Sequence, residues 1–216
     1  MIALGSHETG QAVPIYIMMV AALLFLALAF FAVGQAGATR NGAQSAADAA
    51  ALAAARDSRD MFGDGLLEHL LDPAFLDDVF NGDPIGANGC AAAGYFAQLN
   101  KANVDRCDWA AGGRWGFTVH VVTQQPMGDT ILPGVGSQPG RAQATAVVEP
   151  RCGFKPAEDG EAKPPAGDGA PVGQADGDVV SPGELQCDGK KWKIDPEELD
   201  LLPDMADLFS VRLAED

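Results

Sequence analysis

The chain has 216 residues, and its 30 Asp and Glu side chains against 14 Lys and Arg give a formal net charge of −16. Such a charge repels phosphate backbones and anionic lipid, so nucleic acid is excluded as an expected partner. After one membrane span is subtracted, about 175 residues remain, which suits one soluble domain of ordinary size.

An apolar segment runs from Ala12 to Val33 without a charged side chain. At about 1.5 Å per residue, a helix of this length crosses a hydrocarbon core of roughly 30 Å. The alanine-rich stretch beyond it contains no proline as far as Arg59, so helix propensity predicts that the helix continues out of the bilayer. We predict a short tail over 1–11 and a transmembrane helix with a helical stalk over 12–60.

A cleaved signal peptide is the alternative interpretation of this segment. Ala36-Gly37-Ala38 resembles a cleavage site of the A-x-A type. Against cleavage, no Lys or Arg precedes the apolar run, and the run is longer than that of a usual signal peptide.

Small side chains recur at every fourth position along the outer part of the helix, where they permit close approach by a partner helix. The row consists of Gly34, Ala38, Gly42, Ala46, Ala50 and Ala54. Because four residues turn about 400°, the row drifts around the helix instead of holding one face. The equal alternative is that these alanines pack on the chain's own domain.

Short helices are predicted to follow. Met61 to Asp64 is expected to end the first helix, and leucines at 66, 67, 70 and 71 predict a short second one. Asp72-Pro73 is an N-cap followed by proline at the first helical position, so a third helix is predicted over 74–80. A further helix is predicted from Ala91 to about Asn103.

Two alternating runs predict paired strands. Trp115, Phe117, Val119 and Val121 alternate with other residues in the pattern of a half-buried strand. The second run covers 142–149, and antiparallel pairing is expected. Asp188-Gly189 between 185–187 and 191–194 predicts a hairpin, and 208–213 predicts a last strand. A short turn or helix is expected from Asp195-Pro196 to Leu202.

The predicted fold class is α+β: a long N-terminal transmembrane helix with an alanine-rich extension, short helices, then a small antiparallel sheet. We expect 61–154 and 184–216 to form one extracytoplasmic domain. Residues 155–183 are rich in Pro, Gly and Asp and poor in apolar side chains, so they are predicted to be a disordered insertion.

Four cysteines lie after the span: Cys90, Cys107, Cys152 and Cys187. Their even number and the absence of a C-x-x-C motif favour disulfides in an oxidising compartment over a zinc site. Four cysteines allow three connectivities, of which sequential pairing is preferred. The cysteines and the acidity favour a domain outside the cytoplasm, whereas the positive-inside rule does not assign an orientation because Arg40 follows the span.

No catalytic, metal or cofactor site can be nominated. His7, His69 and His120 lack an H-E-x-x-H context, the serines lack nucleophile motifs, and His120 is expected to be a core or interface residue. Neither Asp77-Asp78 nor Asp176-Gly177-Asp178 continues into a calcium loop. We therefore expect no enzyme.

The N-terminal quarter resembles the TadE/TadG-like proteins of the Tad (Flp) pilus-assembly system, in particular their actinobacterial members. The resemblance rests on Gly10-Gln11-Ala12 at the start of the span, on the apolar run, and on 40–53. Its most specific part is Ala46, Ala47, Asp48, Ala49, Ala50, Ala51 and Leu52.

The resemblance implies a pilin-like protein of the cell membrane that takes part in pilus assembly or related secretion. Its partners would be other pilin-like or Tad-assembly membrane proteins and the lipid bilayer. Ile15 stands where pilins cleaved after a glycine such as Gly10 carry glutamate, so an uncleaved assembly component is favoured over a fibre subunit.

The alternative function is a membrane-tethered binding module of the cell envelope. It would capture a ligand through Trp109, Trp115 and nearby loops, with the helix as a tether. Both tryptophans are otherwise expected in the core.

Overall fold

A computed structural model describes residues 12–81, 87–126, 137–157, 181–195, 197–198 and 202–214. Its architecture is α+β, with a long N-terminal helix, short helices and antiparallel sheets, which confirms the predicted fold class. The tail predicted over 1–11, residues 158–180 of the predicted insertion, and residues 196 and 199–201 of the turn or helix predicted from Asp195 lie outside the described residues.

Helix α1 (Ala12–Glu68) is one continuous helix, so the predicted end at 61–64 and the separate helix after it are wrong. Glycine at positions 63 and 65 costs the helix roughly 1 kcal/mol each. Burial outweighs that cost, because Phe62 is 5 % exposed and Leu66 is 4 % exposed. The Phe62 ring lies 5.2 Å from that of Trp115 and 6.1 Å from that of Phe209.

Two short helices follow, α2 (Pro73–Phe80) and α3 (Cys90–Leu99). The predicted N-cap of α2 is confirmed, since Oδ1 of Asp72 accepts hydrogen bonds from the N–H groups of Ala74 (3.0 Å) and Phe75 (3.3 Å). Helix α3 ends earlier than predicted, because Lys101 adopts a left-handed conformation with φ +57° and the chain then enters a strand.

The larger sheet consists of β1 (Ala102–Trp109), β2 (Gly116–Pro126), β3 (Pro139–Pro150) and, from later in the chain, β7 (Phe209–Leu213). These strands are antiparallel and lie in the order β1-β2-β3-β7. The predicted pairing of β2 with β3 is confirmed, with Val119 opposite Ala144. Strand β1 was not predicted, because the register shift between Val104 and Arg106 interrupts its alternation and most of its side chains are exposed.

The smaller sheet contains β4 (Cys152–Pro156), β5 (Gly183–Cys187) and β6 (Lys190–Lys193). The predicted hairpin joins β5 to β6, and Asp188 (φ +45°) and Gly189 (φ +80°) both adopt the left-handed conformation that such a turn requires. A short helix, α4 (Met205–Leu208), leads into β7.

The core lies between the larger sheet and the outer half of α1, with α3 also packed against α1. At its centre the indole Nε1–H of Trp115 donates to Oγ of Ser58 at 3.0 Å, and both residues are buried. The predicted disulfides are present: Cys90 bonds Cys107 and Cys152 bonds Cys187, which is the sequential pairing. The first joins α3 to β1, and the second joins β4 to β5.

Candidate helix-packing surface

The inner half of α1 exposes its apolar side chains on all sides. From Val13 to Val33 the large apolar residues are between 38 % and 75 % exposed, and the most apolar window has a mean hydropathy of 2.7 with no residue buried. A surface of this length and composition is stable in lipid and not in water. Helix α1 therefore anchors the protein in a membrane as a single span.

The outer half of α1 is covered by the protein's own domain. The first contacts lie at Thr39, whose Cγ2 would be 3.1 Å from a Cβ added to Gly140, and at Gln44, whose Nε2 donates to the carbonyl of Gln143 at 3.2 Å. Between Val33 and Thr39 the helix rises only about 9 Å. The domain is thus held close to the bilayer by a continuous helix.

The row of small residues divides into two parts along the helix. Ala46, Ala50 and Ala54 are fully buried against the domain, so for these three the alternative of packing on the chain's own domain is what the structure shows. The contact at Ala54 is close, because a Cβ on Gly89 would lie 2.0 Å from its carbonyl oxygen. These alanines let α3 approach the backbone of α1.

The inner part of the row is open. A Cβ added to Gly34 or Gly42 would meet nothing within 4 Å, and Ala38 is exposed. Gly34 and Ala38 are open because they precede the first contacts with the domain at Thr39. Beyond them, a step of four residues turns the row by about 40° around the helix, which carries it from the open position at Gly42 into the domain at Ala46.

A stripe that combines spacings of four residues with one of three stays on the free face. From Gly34, Ala38 and Gly42 it continues through Ser45, which is exposed, and Ala49, which is half-buried. This combination follows the 3.6-residue turn. A strict spacing of four residues omits Ser45 and Ala49 for that reason.

The family-like segment 46–52 is the part of α1 that packs against the sheet and α3. Ala46, Ala47, Ala50 and Ala51 are fully buried, whereas Ala49 and Leu52 are half-buried. Asp48 accepts a hydrogen bond from Nε2 of Gln44 at 2.8 Å. The motif therefore brings the sheet and α3 close to α1.

The two tryptophans have different environments. Trp115 is 2 % exposed and belongs to the core as expected, so a ligand platform that needs Trp115 is wrong. Trp109 is 46 % exposed, so the expectation that it lies in the core is wrong, and its ring lies 4.6 Å from that of Phe117.

The two histidines within the described ranges have separate environments. Nε2 of His120 lies 3.0 Å from Nη2 of Arg106, on the side of β2 that is not packed in the core, and the ring of His69 lies 4.9 Å from that of Phe75. His7 and the calcium candidates Asp176 and Asp178 lie outside the described residues. In the described part of the chain, no three His, Cys, Asp or Glu side chains are grouped so that they could hold a metal ion.

Residues 10–57 match the family model of Flp pilus-assembly TadE/G-like proteins. The match covers less than a quarter of the chain and includes the span, the open small residues and the buried alanines. No curated protein and no solved structure matches the chain. The matched model describes pilus-assembly proteins, and its match includes the apolar helix that is long enough to cross a membrane.

Proposed function

We propose, from the TadE/G-like identity of residues 10–57, that this protein is a pilin-like component of Tad pilus assembly or related secretion and has no enzymatic activity. It acts by packing α1 against the helices of other pilin-like or Tad-assembly membrane proteins. The single observation behind this mode of action is that the domain buries Ala46, Ala50 and Ala54 of α1 but leaves Gly34, Ala38 and Gly42 uncovered.

Small residues suit a contact between helices in a membrane. Lipid tails are as apolar as leucine, so association there depends on close van der Waals contact between backbones. Gly34 and Ala38 lie just past the apolar span, and Gly42 follows one turn later, where the helix leaves the bilayer. A partner helix can therefore approach α1 closely at the membrane surface.

The proposed orientation places the domain outside the cytoplasm. Both disulfides lie in the domain, and disulfides persist in oxidising compartments. A partner contact at Gly34 to Gly42 then lies at the outer surface of the membrane.

An anchor exchange tests the proposal against the tethered binding module. Residues 12–38 are replaced by an unrelated apolar span, while everything from Thr39 onward is kept because it contacts the domain. We expect the exchanged protein to fold and enter the membrane, and pilus assembly to be lost. Retained assembly would identify the helix as a mere tether and would favour the binding module.

A further inference from the structure

The end of the domain nearest the membrane carries positive charge, although the net charge of the protein is −16. Arg40 lies there on α1, Lys101 between α3 and β1, and Arg141 near the start of β3. We propose that these three side chains bind the phosphates of anionic lipid headgroups and so fix the domain against the bilayer that α1 crosses.

Arg40 and Arg141 lie at the same level along α1. Their preceding residues, Thr39 and Gly140, are in contact, because a Cβ on Gly140 would lie 3.1 Å from Cγ2 and 3.2 Å from the carbonyl oxygen of Thr39. The two cations therefore start from adjacent backbone positions on the helix and on the sheet.

Lys101 lies near Arg141 because their strands both neighbour β2. The N–H of Gly140 donates to Oγ1 of Thr123 at 2.9 Å, and Thr123 pairs with Ala102, the residue after Lys101. The carbonyl of Lys101 accepts a hydrogen bond from the N–H of Gln124 at 2.8 Å. All three cations thus lie at the end of the sheet from which α1 enters the membrane.

The bilayer is within reach of this end. Arg40 follows Val33 by seven residues, which places its Cα about 10 Å beyond the apolar span. The headgroup layer is roughly 5–8 Å thick on each side of the hydrocarbon core. Lys and Arg extend their charged ends on long apolar stems, so these side chains reach the phosphates.

The three cations are available to a ligand. Within the described ranges, Arg40 and Lys101 form no ion pair, and Arg141 forms a loose one, with Nη1 3.8 Å from Oδ2 of Asp105. Among the described residues at this end, the three cations therefore outnumber this one carboxylate.

The conformation of Lys101 supports a role for its side chain. Its φ of +57° lies in the left-handed region, where glycine or asparagine is accommodated at lower cost. Lysine at this turn makes the fold slightly less stable than glycine would, but it places a positive charge at the membrane-facing end of the domain.

Because salt screens distant charges, the headgroups respond to the cations near the membrane more strongly than to the net charge of the protein. The next carboxylate along α1, Asp48, lies about 12 Å farther from the bilayer than Arg40. The Debye length is about 8 Å at physiological ionic strength, so the acidic remainder of the protein acts weakly at the headgroups. Repulsion from anionic lipid, expected from the net charge, is thus reversed at this end.

The test uses the full-length protein in nanodiscs of phosphatidylcholine, alone or with part of it replaced by phosphatidylglycerol. Entry into the discs is checked first by co-elution, which separates a failure of anchoring from a failure of headgroup binding. We expect the domain to unfold at a higher temperature in the anionic discs and the difference to vanish at high salt. Equal unfolding temperatures in the two lipids would overturn the proposal.

Variants assign the effect to the three cations. The triple variant Arg40→Gln, Lys101→Gln, Arg141→Gln is expected to unfold at the same temperature in both lipids, whereas Arg40→Lys, Lys101→Arg, Arg141→Lys keeps the difference. The matched control removes three cations elsewhere, Arg56→Gln, Lys190→Gln and Lys193→Gln. An equal loss in this control would contradict the proposal.

The three cations could also bind free phosphate, which carries the same charged group as a lipid headgroup. Inorganic phosphate added to discs of phosphatidylcholine alone is expected to leave the unfolding temperature unchanged. A rise equal to that in anionic discs would show a site for free phosphate and overturn the assignment to lipid.

Discussion

The hydrogen bond from Trp115 to Ser58 ties the sheet to α1 within the core. The serine hydroxyl is the acceptor for an indole N–H that is removed from water, and a buried donor without an acceptor costs about 1–3 kcal/mol. Ser58→Ala should therefore lower the free energy of unfolding by about that amount, as measured by urea denaturation of the detergent-solubilised protein.

The matched control is Ser45→Ala, since Ser45 is exposed on the same helix. We expect this change to alter the free energy of unfolding by less than about 0.5 kcal/mol. Equal effects of the two substitutions would show that the hydrogen bond contributes nothing.

The ion pair between Glu149 and Arg212 predicts a small dependence of stability on pH. The hydrogen bond from Arg212 lowers the pKa of the Glu149 carboxyl, with its charge as a further cause and desolvation acting in the opposite direction. A folded-state pKa below that of the unfolded state adds stability above the unfolded pKa, and this stability is lost as the pH falls through the folded pKa. Both side chains are more than two-fifths exposed, so the contribution is under about 1 kcal/mol.

Glu149→Gln removes this contribution. The difference in free energy of unfolding between the wild type and the variant should be largest at neutral pH and shrink as the pH falls below about 4.5, the ordinary value for Glu. A difference that stayed constant through the acid range would contradict the role of the carboxylate.

Helix α1 packs on its own domain with one face, and the opposite face is the one proposed to pack against a partner helix. Ala50→Leu places three extra carbons at a fully buried position, and such overpacking costs about 1–3 kcal/mol or more. In Gly42→Leu the new side chain extends into open space, so the domain's stability should be unchanged or slightly raised. Urea denaturation distinguishes the two variants, and pilus assembly should fail in both, for Ala50→Leu because the domain is destabilised.

A loss of stability in Gly42→Leu equal to that in Ala50→Leu would contradict the division of the helix. Ala46 belongs to the row of small residues that the sequence offers to a partner helix, but Ala46→Leu is expected to act like Ala50→Leu because Ala46 is fully buried in the domain.

Elements with strong local signals were predictable from the sequence. Asp72 at an N-cap, the alternation through Val119 in β2, and Asp188 in the hairpin turn each act within a few residues, and the structure has all three features. The continuation of α1 past Gly63 was not predictable, since it depends on contacts of Phe62 with residues distant in the chain.

The candidate site was predictable only in part, for the same reason. Its position on α1 follows from composition, but the face occupied by the domain depends on the tertiary packing of the sheet. Sequence spacing alone could not separate Gly42, which is open, from Ala46, which is covered.

A single helix joins the membrane span to the core of the domain without an interruption. Its residues contact the domain from Thr39 to Leu66, so the position of the domain relative to the membrane follows from the packing of α1. A partner that fixes the exposed face of α1 at Gly34 to Gly42 therefore also fixes the orientation of the domain. This coupling suits a component that works by assembly.

Pilus assembly in cells that carry Gly34→Leu together with Ala38→Leu tests the packing role of this face most directly. Ala22→Leu with Ala29→Leu is the matched control, because these two positions lie on the opposite face of α1 at about 100° per residue. Surface pili are counted after immunoblots show equal amounts of membrane-inserted protein. We expect loss of pili in the first variant and normal pili in the control, and normal pili in both would contradict the packing role.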